Sequence, residues 1–330
     1  MHTISSAFAS LAASATLASL AACGATTPEP RSDTDLAVHT FTSDQNGFDT
    51  HSFWIDTGKE VVVFDGQFTP QVADQVIAEI REQTASPIRW LVVTHPNPDK
   101  FNGAPRFQAA GAQVVASKAT ADALAGVHAY KKFYFVEVAK QFTNENYPAQ
   151  ATIDVTFDDA FQLPLQGSAQ ISLRRLQHAG ISSTQTVAYV PSAGSGGALF
   201  VGDLVHHGAH AWLEGGIVDG APRPDLAAWR DALEELRSFP ASTSVHGGRG
   251  EAAPVADAIA SQEAYLSAAS ATVDQYLATL GARRSELNDA AKAQAHYVAI
   301  EEELARQMPE RKLAYLVRYG VYGLVNARNR

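Results

Sequence analysis

Residues 90–103 read Trp90-Leu91-Val92-Val93-Thr94-His95-Pro96-Asn97-Pro98-Asp99-Lys100-Phe101-Asn102-Gly103. The first four are apolar strand formers, and the run is short enough for one buried strand. It then turns polar, and Pro96 and Pro98 forbid a continued ladder. A central strand therefore delivers His95, Asn97, Asp99 and Lys100 onto a tight loop at its end, where α/β folds place their sites. In an extended chain residues 95, 97 and 99 point to one side. His95 and Asp99 are good ligands for a divalent metal.

Working outward, residues 38–55 and 60–65 predict two or three strands with a turn at Asp56-Thr57-Gly58. Thr69-Pro70 supplies a cap and a first-turn proline, and Val72, Val76, Ile77 and Ile80 give the following helix an apolar face. A short helix ending at Gly111 and a strand over residues 113–116 follow the loop. Strand, helix, strand in this order implies parallel pairing with a right-handed crossover. Residues 153–203 are mostly strands, 224–238 a helix, 242–246 the last strand, and the chain is helical beyond Pro254. The glycine-rich link Ser192-Ala193-Gly194-Ser195-Gly196-Gly197 lacks the Lys-Ser/Thr and helix of a phosphate loop, so it reads as a hairpin turn.

The loop resembles T-H-x-H-x-D-H-x-G-G, the signature of the metallo-β-lactamase-fold hydrolases, which Thr94, His95, Asp99 and Gly103 match. Asn97 and Lys100 stand where the family has its second and third histidines, and Asn102 replaces the first glycine of the pair. Later stretches follow in family order: Gln177-His178-Ala179-Gly180, Phe200-Val201-Gly202-Asp203 and Val245-His246-Gly247-Gly248. The resemblance implies a four-layer αββα sandwich over residues 38–250, with residues 251–330 a helical extension packed on it. It also implies a metal site. Carried over, the first position would use His95, Asn97 and His178, the second Asp99, Lys100 and His246, with Asp203 bridging. Protonated Lys100 cannot ligate and repels a second cation, and Asn97 offers only a neutral oxygen. The expected cofactor is therefore zinc, one ion rather than two, or none. The first position, with His95, His178 and Asp203, is favoured. Asp99 would orient or shuttle the proton of a metal-activated water, and Lys100 would stand in for the missing cation, paired with Asp99 or Asp203.

Each of these residues also has a plain structural reading: a backbone cap for His95, an ion pair for Asp99 and Lys100, a turn for Asp203. His206, His207 and His210 form a second cluster. If helical, His206 and His210 share a face and could replace a lost ligand; otherwise they are surface or supporting histidines. Trp212, Leu213 and Glu214 would form a pocket rim. The aromatic-rich residues 126–150 would pack on the core or wall the pocket. No nucleophile-elbow sequence is present.

The chain has 330 residues and a formal net charge of −10, which disfavours nucleic acid and anionic membranes as partners. Residues 1–23 contain no charged side chain and end in Leu20-Ala21-Ala22-Cys23. That resembles a bacterial lipoprotein signal with its lipobox, although Met1-His2-Thr3 lacks a basic residue. It implies export to the periplasm or outer cell surface and a lipid anchor at Cys23, the only membrane contact expected. Residues 24–37 read as a linker. A single cysteine permits no intrachain disulfide. Two functional readings follow. One is an exported hydrolase acting on a small-molecule ester, amide, lactone or phosphoester through metal-activated water. The alternative is a metal-free binding or scaffold lipoprotein with Lys100 filling the vacated charge.

Overall fold

Short β-branched runs become strands and amphipathic runs become helices throughout residues 36–192 and 196–329, the part of the chain that this computed structural model describes. The expected signal (residues 1–23), nearly all of the expected linker and residues 193–195 lie outside the described residues.

One sheet takes the strands in sequence order: β1 (His39–Thr42), β2 (His51–Asp56), β3 (Val61–Phe64), β4 (Ile88–Val92), β5 (Gln113–Ser117) and β6 (Val155–Phe157). Its first three strands are antiparallel and the rest parallel, as the strand–helix–strand reading requires. The second sheet contains β7 (Ala160–Gln162), β8 (Ser172–Arg175), β9 (Thr186–Val190) and β10 (Ala198–Gly202), then β13 (Ser244–Gly247) and β14 (Ala253–Pro254). The hairpin β11 (Gly216–Val218) and β12 (Ala221–Arg223) stands apart. β9 and β10 are antiparallel neighbours, so the glycine-rich link joins a hairpin.

The two sheets bury their facing sides against each other. Phe53, Val62, Phe64, Trp90 and Val92 from one meet Leu173, Ala188, Val190 and Phe200 from the other. Phe64 and Phe200 stack at 4.0 Å. The outer face of the first sheet is covered by α1 (Pro70–Gln83), α3 (Ala104–Ala109) and α4 (Lys118–Phe133). Thr69 caps α1 at the amide of Val72, with Pro70 in the first turn. The second sheet's outer face packs on α5 (Leu226–Glu235), α6 (Val255–Leu280), α7 (Ala290–Gln307) and α8 (Leu316–Arg328). The fold is thus a four-layer αββα sandwich with a C-terminal helical region.

Two local features shape the site. First, residues 95–99 are not one extended loop. Asn97 is extended, and Pro98, whose fixed φ suits a first helical position, starts the single turn α2 (Pro98–Phe101). Asp99 and Lys100 are therefore consecutive helical residues. Second, α8 crosses the backbone of residues 213–214 at glycines. A Cβ on Gly323 would lie 2.1 Å from the Glu214 carbonyl oxygen.

Candidate active site

β4 ends one residue before Val93, and the chain is then pinned from the neighbouring β3 end. Thr94 donates its amide (3.0 Å) and hydroxyl (2.9 Å) to the Asp65 carboxylate, and its Oγ1 lies 2.9 Å from His95 Nδ1. This orients the buried imidazole so that Nε2 faces Asp203 Oδ2 at 3.7 Å. Burial pushes the Asp65 carboxyl up to about 6, against the pull of Lys100 and His95.

Asp203 follows β10 and Asp99 opens α2, and two cations bind these carboxylates together. Lys100 Nζ lies 2.9 Å from Asp99 and 2.8 Å from Asp203. Arg249 spans the same pair, Nη1 donating to Asp203 and Nη2 to Asp99, each at 2.9 Å. Its remaining contacts are the Phe48 carbonyl (2.7 Å) and the Thr50 hydroxyl (2.8 Å). All four charged groups are buried. Burial alone would raise Asp203, but Arg249 and then Lys100 outweigh it and hold the carboxyl well below its usual range. Lys100 is opposed by burial and held above its ordinary value by Asp203 and Asp99. Both carboxylates are ionised and both cations charged, so the quartet is neutral overall. Gly248 is required here, because a Cβ on it would sit 1.9 Å from Asp203 Oδ1.

The structure therefore brings together His95, Asp99, Lys100 and Asp203. Two expected ligands are elsewhere. His178 is half exposed and faces Glu235, which accepts the amides of Gln177 and His178 at 3.0 Å and sits 3.1 Å from His178 Nδ1. The α5 end thus holds residues 177–178 on the surface. His246 lies on β13, where alternation turns Val245 to the helical layer and His246 to the inter-sheet core. Its ring packs on Phe53 (5.3 Å) and Phe200 (5.2 Å), and burial lowers it to about 4. Arg249, three residues later and past the strand, reaches the carboxylates in its place. Asn97 makes no cap hydrogen bond and lines the adjoining cavity. His206 does approach Asp203, with Nε2 at 3.8 Å from Oδ1, but residues 206–210 form turns rather than a helix. His210 instead packs edge-on against Tyr265.

Arg249 went unread in the sequence. Its signal is a lone cation set between glycines in Gly247-Gly248-Arg249-Gly250. His51, which carries no spacing signal in the sequence, feels the same charges. Burial, then Arg249 and Lys100, lower it to about 4.

Beside the quartet is a cavity of about 30 Å³, room for a water, walled by Phe48, Phe68, Phe135 and Trp212 with Asn97 and Lys131. Lys131, at the end of α4, is ion-paired with Glu214, which also accepts Trp212 Nε1 at 2.9 Å. Of the expected rim, Trp212 lines the pocket, Glu214 lies behind it on Lys131 and Trp212, and Leu213 is a core residue; the aromatic segment both packs on the core and walls the pocket. Phe135 and Tyr147 are core residues, and Phe135 also faces the cavity.

A sequence model of the metallo-beta-lactamase superfamily matches residues 46–248, and the chain belongs to that superfamily. A metallo-beta-lactamase from Pontibacter korlensis superposes with a TM-score of 0.52 at 20% identity, covering 71% of this chain and 99% of the other. The metallo-beta-lactamase FIM-1 from Pseudomonas aeruginosa, in its mono-zinc form, gives 0.50 at 17% identity, with 70% and 90% covered. These likenesses show the fold. No curated protein matches the chain. Membership points to metal-dependent hydrolysis, which makes the donor set the test. Among the described residues no three His, Cys, Asp or Glu side chains are grouped to hold a metal ion. The carboxylates that would bind one already hold Lys100 and Arg249. Facing Asp203, His95 Nε2 at 3.7 Å and His206 Nε2 at 3.8 Å are buried without a hydrogen-bond partner, so two imidazole donors stand beside a carboxylate that Lys100 and Arg249 already engage.

Proposed function

We propose that this chain is a binding member of the superfamily that works without a resident metal. Lys100 and Arg249 supply the positive charge between Asp99 and Asp203, and the small molecule docks at the mouth of the water-sized aromatic cavity beside them. The observation that carries the reading is that both cations contact both carboxylates at 2.8–2.9 Å. A metal entering there would meet two fixed positive charges, Lys100 at ion-pair distance from both carboxylates and Arg249 hydrogen-bonded to both. Export with a lipid anchor at Cys23 belongs to the same proposal, supported by the uncharged residues 1–23.

The test is elemental analysis of the purified protein after incubation with Zn²⁺, beside a hydrolysis screen of ester, lactone, β-lactam and phosphodiester substrates with and without chelator. The expected result is far less than one metal per chain and no chelator-sensitive turnover. Stoichiometric zinc with turnover abolished by chelator and by Asp203→Ala would overturn it.

A further inference from the structure

Helix α4 buries Thr120, Leu124, Val127 and Lys131, the spacing of an α-helical face. No glycine or proline interrupts residues 127–147, so nothing in the sequence stops the helix at Phe133. The same spacing would next turn Phe135, Val138 and Phe142 inward and Val136 outward. The backbone instead widens into one π turn, Tyr134–Val138, closed by the Ala139 amide on the Tyr134 carbonyl at 2.8 Å. The extra residue in that turn buries Phe135 and Val136 side by side and leaves Phe133 59% and Val138 54% exposed. Lys140 then takes a left-handed backbone, φ 54°, which disfavours a residue with a Cβ.

One carbonyl and one ring offset these costs. The Phe135 carbonyl accepts the amides of Gln141 (3.0 Å) and Phe142 (3.3 Å), which folds the chain back. The Phe142 ring then packs edge-on against Phe68 (5.6 Å), Phe135 (6.2 Å) and Tyr147 (5.4 Å). Phe68 and Phe135 are walls of the cavity beside the quartet, and Gln141 and Phe142 lie across Phe68 from it. An α-helix running on past Phe133 needs the same Phe135 carbonyl for the Ala139 amide, four residues on. The two arrangements therefore exclude each other. Winding the helix frees Gln141 and Phe142 and lifts the Phe142 ring off the cavity wall. It also turns Val138 inward and lets Lys140 take a helical backbone.

We propose that residues 134–147 form a strap over the cavity with two registers. The π-turned register holds the cavity closed, and the α-wound register opens it to a ligand at its mouth. A π turn holds one residue more than an α turn, so one residue of slip converts one register into the other. The two registers stand on this packing alone; what the open cavity admits rests on the binding reading above.

The experiment measures thiol labelling by excess maleimide in the full chain carrying Cys23→Ser, so that one introduced thiol reacts. Val136→Cys places it where the π register buries it and the α register turns it outward. Pro98→Cys places it in the buried lining of the cavity. Both should label slowly, at rates nearly independent of urea below the unfolding transition, as local opening requires. Adding Val138→Ser, at an exposed position, should slow both about tenfold, because it removes the valine that the α register buries. Adding Lys140→Gly should slow both by a similar factor, because glycine suits the left-handed backbone and weakens a helix. Labelling of Val136→Cys only through global unfolding, seen as a steep urea dependence, would overturn the two registers. So would rates that either added substitution leaves unmoved or raises. Slower labelling of Val136→Cys with Pro98→Cys unmoved would mean that the strap shifts without gating the cavity, which also overturns the proposal. Zinc content and turnover are measured on the same sample. Metal with turnover sinks the binding reading and leaves the labelling result standing, whereas a metal-free, inactive protein that fails the labelling test sinks the strap alone.

Discussion

Arg249 is the residue on which the charged centre turns. It is buried, its guanidinium bridges Asp99 and Asp203, and its Nε anchors the Phe48 carbonyl. Replacing it by methionine leaves two buried carboxylates with Lys100 alone, and breaking a buried pair by removing one partner costs about 3–5 kcal/mol. Urea unfolding of Arg249→Met should show a loss of that order. Arg249→Lys should recover only part of it, because an ammonium cannot span two carboxylates as a planar fork does. A loss below about 1 kcal/mol in Arg249→Met would mean that the quartet contributes little. Gly248→Ala should be destabilising as well, by about 1–3 kcal/mol, since its new methyl must displace Asp203 or Lys100; an unchanged urea midpoint would contradict the packing. The sequence made His95, Asp99, Lys100 and Asp203 readable through a familiar loop and strand end. Arg249 was hidden because a histidine three residues earlier offered a more familiar residue type, and only the strand's alternation shows that His246 must turn inward.

Among the elements, α8 and the turn between β1 and β2 are linked. Phe48 and Asp49 both have positive φ (63° and 50°), an unfavourable backbone for non-glycine residues. Arg249 holds the first of them through its carbonyl, and Tyr315 holds the second through its carboxylate. Tyr315→Phe removes one hydrogen bond to a charged group, worth about 1.5–3 kcal/mol, and should loosen this turn, seen as faster amide exchange at residues 48–50. Protection equal to that of the parent would separate α8 from the turn. Gly323→Val should push α8 off residues 213–214, lower the melting temperature and alter Trp212 emission; a protein that melts and emits as before would rule out the close crossing. These links were not legible in the sequence. Helicity beyond Pro254 follows from composition and periodicity, but which face meets the pocket depends on crossings set by single glycines. The helical turn of α2 was missed for a smaller reason: two prolines two residues apart argue equally for an extended loop and for a helix start.

For the molecule as a whole, buried histidines set the response to acid. Burial lowers His51, His210 and His246 to about 4 and His206 to about 3. Between those values and the ordinary 6.5, the unfolded chain binds protons that the folded chain refuses, so stability is complete above about pH 6.5 and is lost as pH falls toward 4. Asp65, raised to about 6, acts in the opposite sense, its folded form holding a proton that the unfolded chain has released. Four groups against one leave a net loss of stability across the window. The melting temperature should fall steadily from pH 7 to pH 5, and His246→Phe, which fits between Phe53 and Phe200, should flatten the slope. A flat profile in the parent would show that these rings are not buried neutral. The layered fold itself was legible because its strands are short, β-branched and interrupted by clear turns, and because the order of the loops follows a known family.

The charge at the centre of this sandwich is carried by side chains rather than drawn from the surroundings. Lys100 and Arg249 arrive with the polypeptide, so both carboxylates meet their opposite charges as soon as the chain folds.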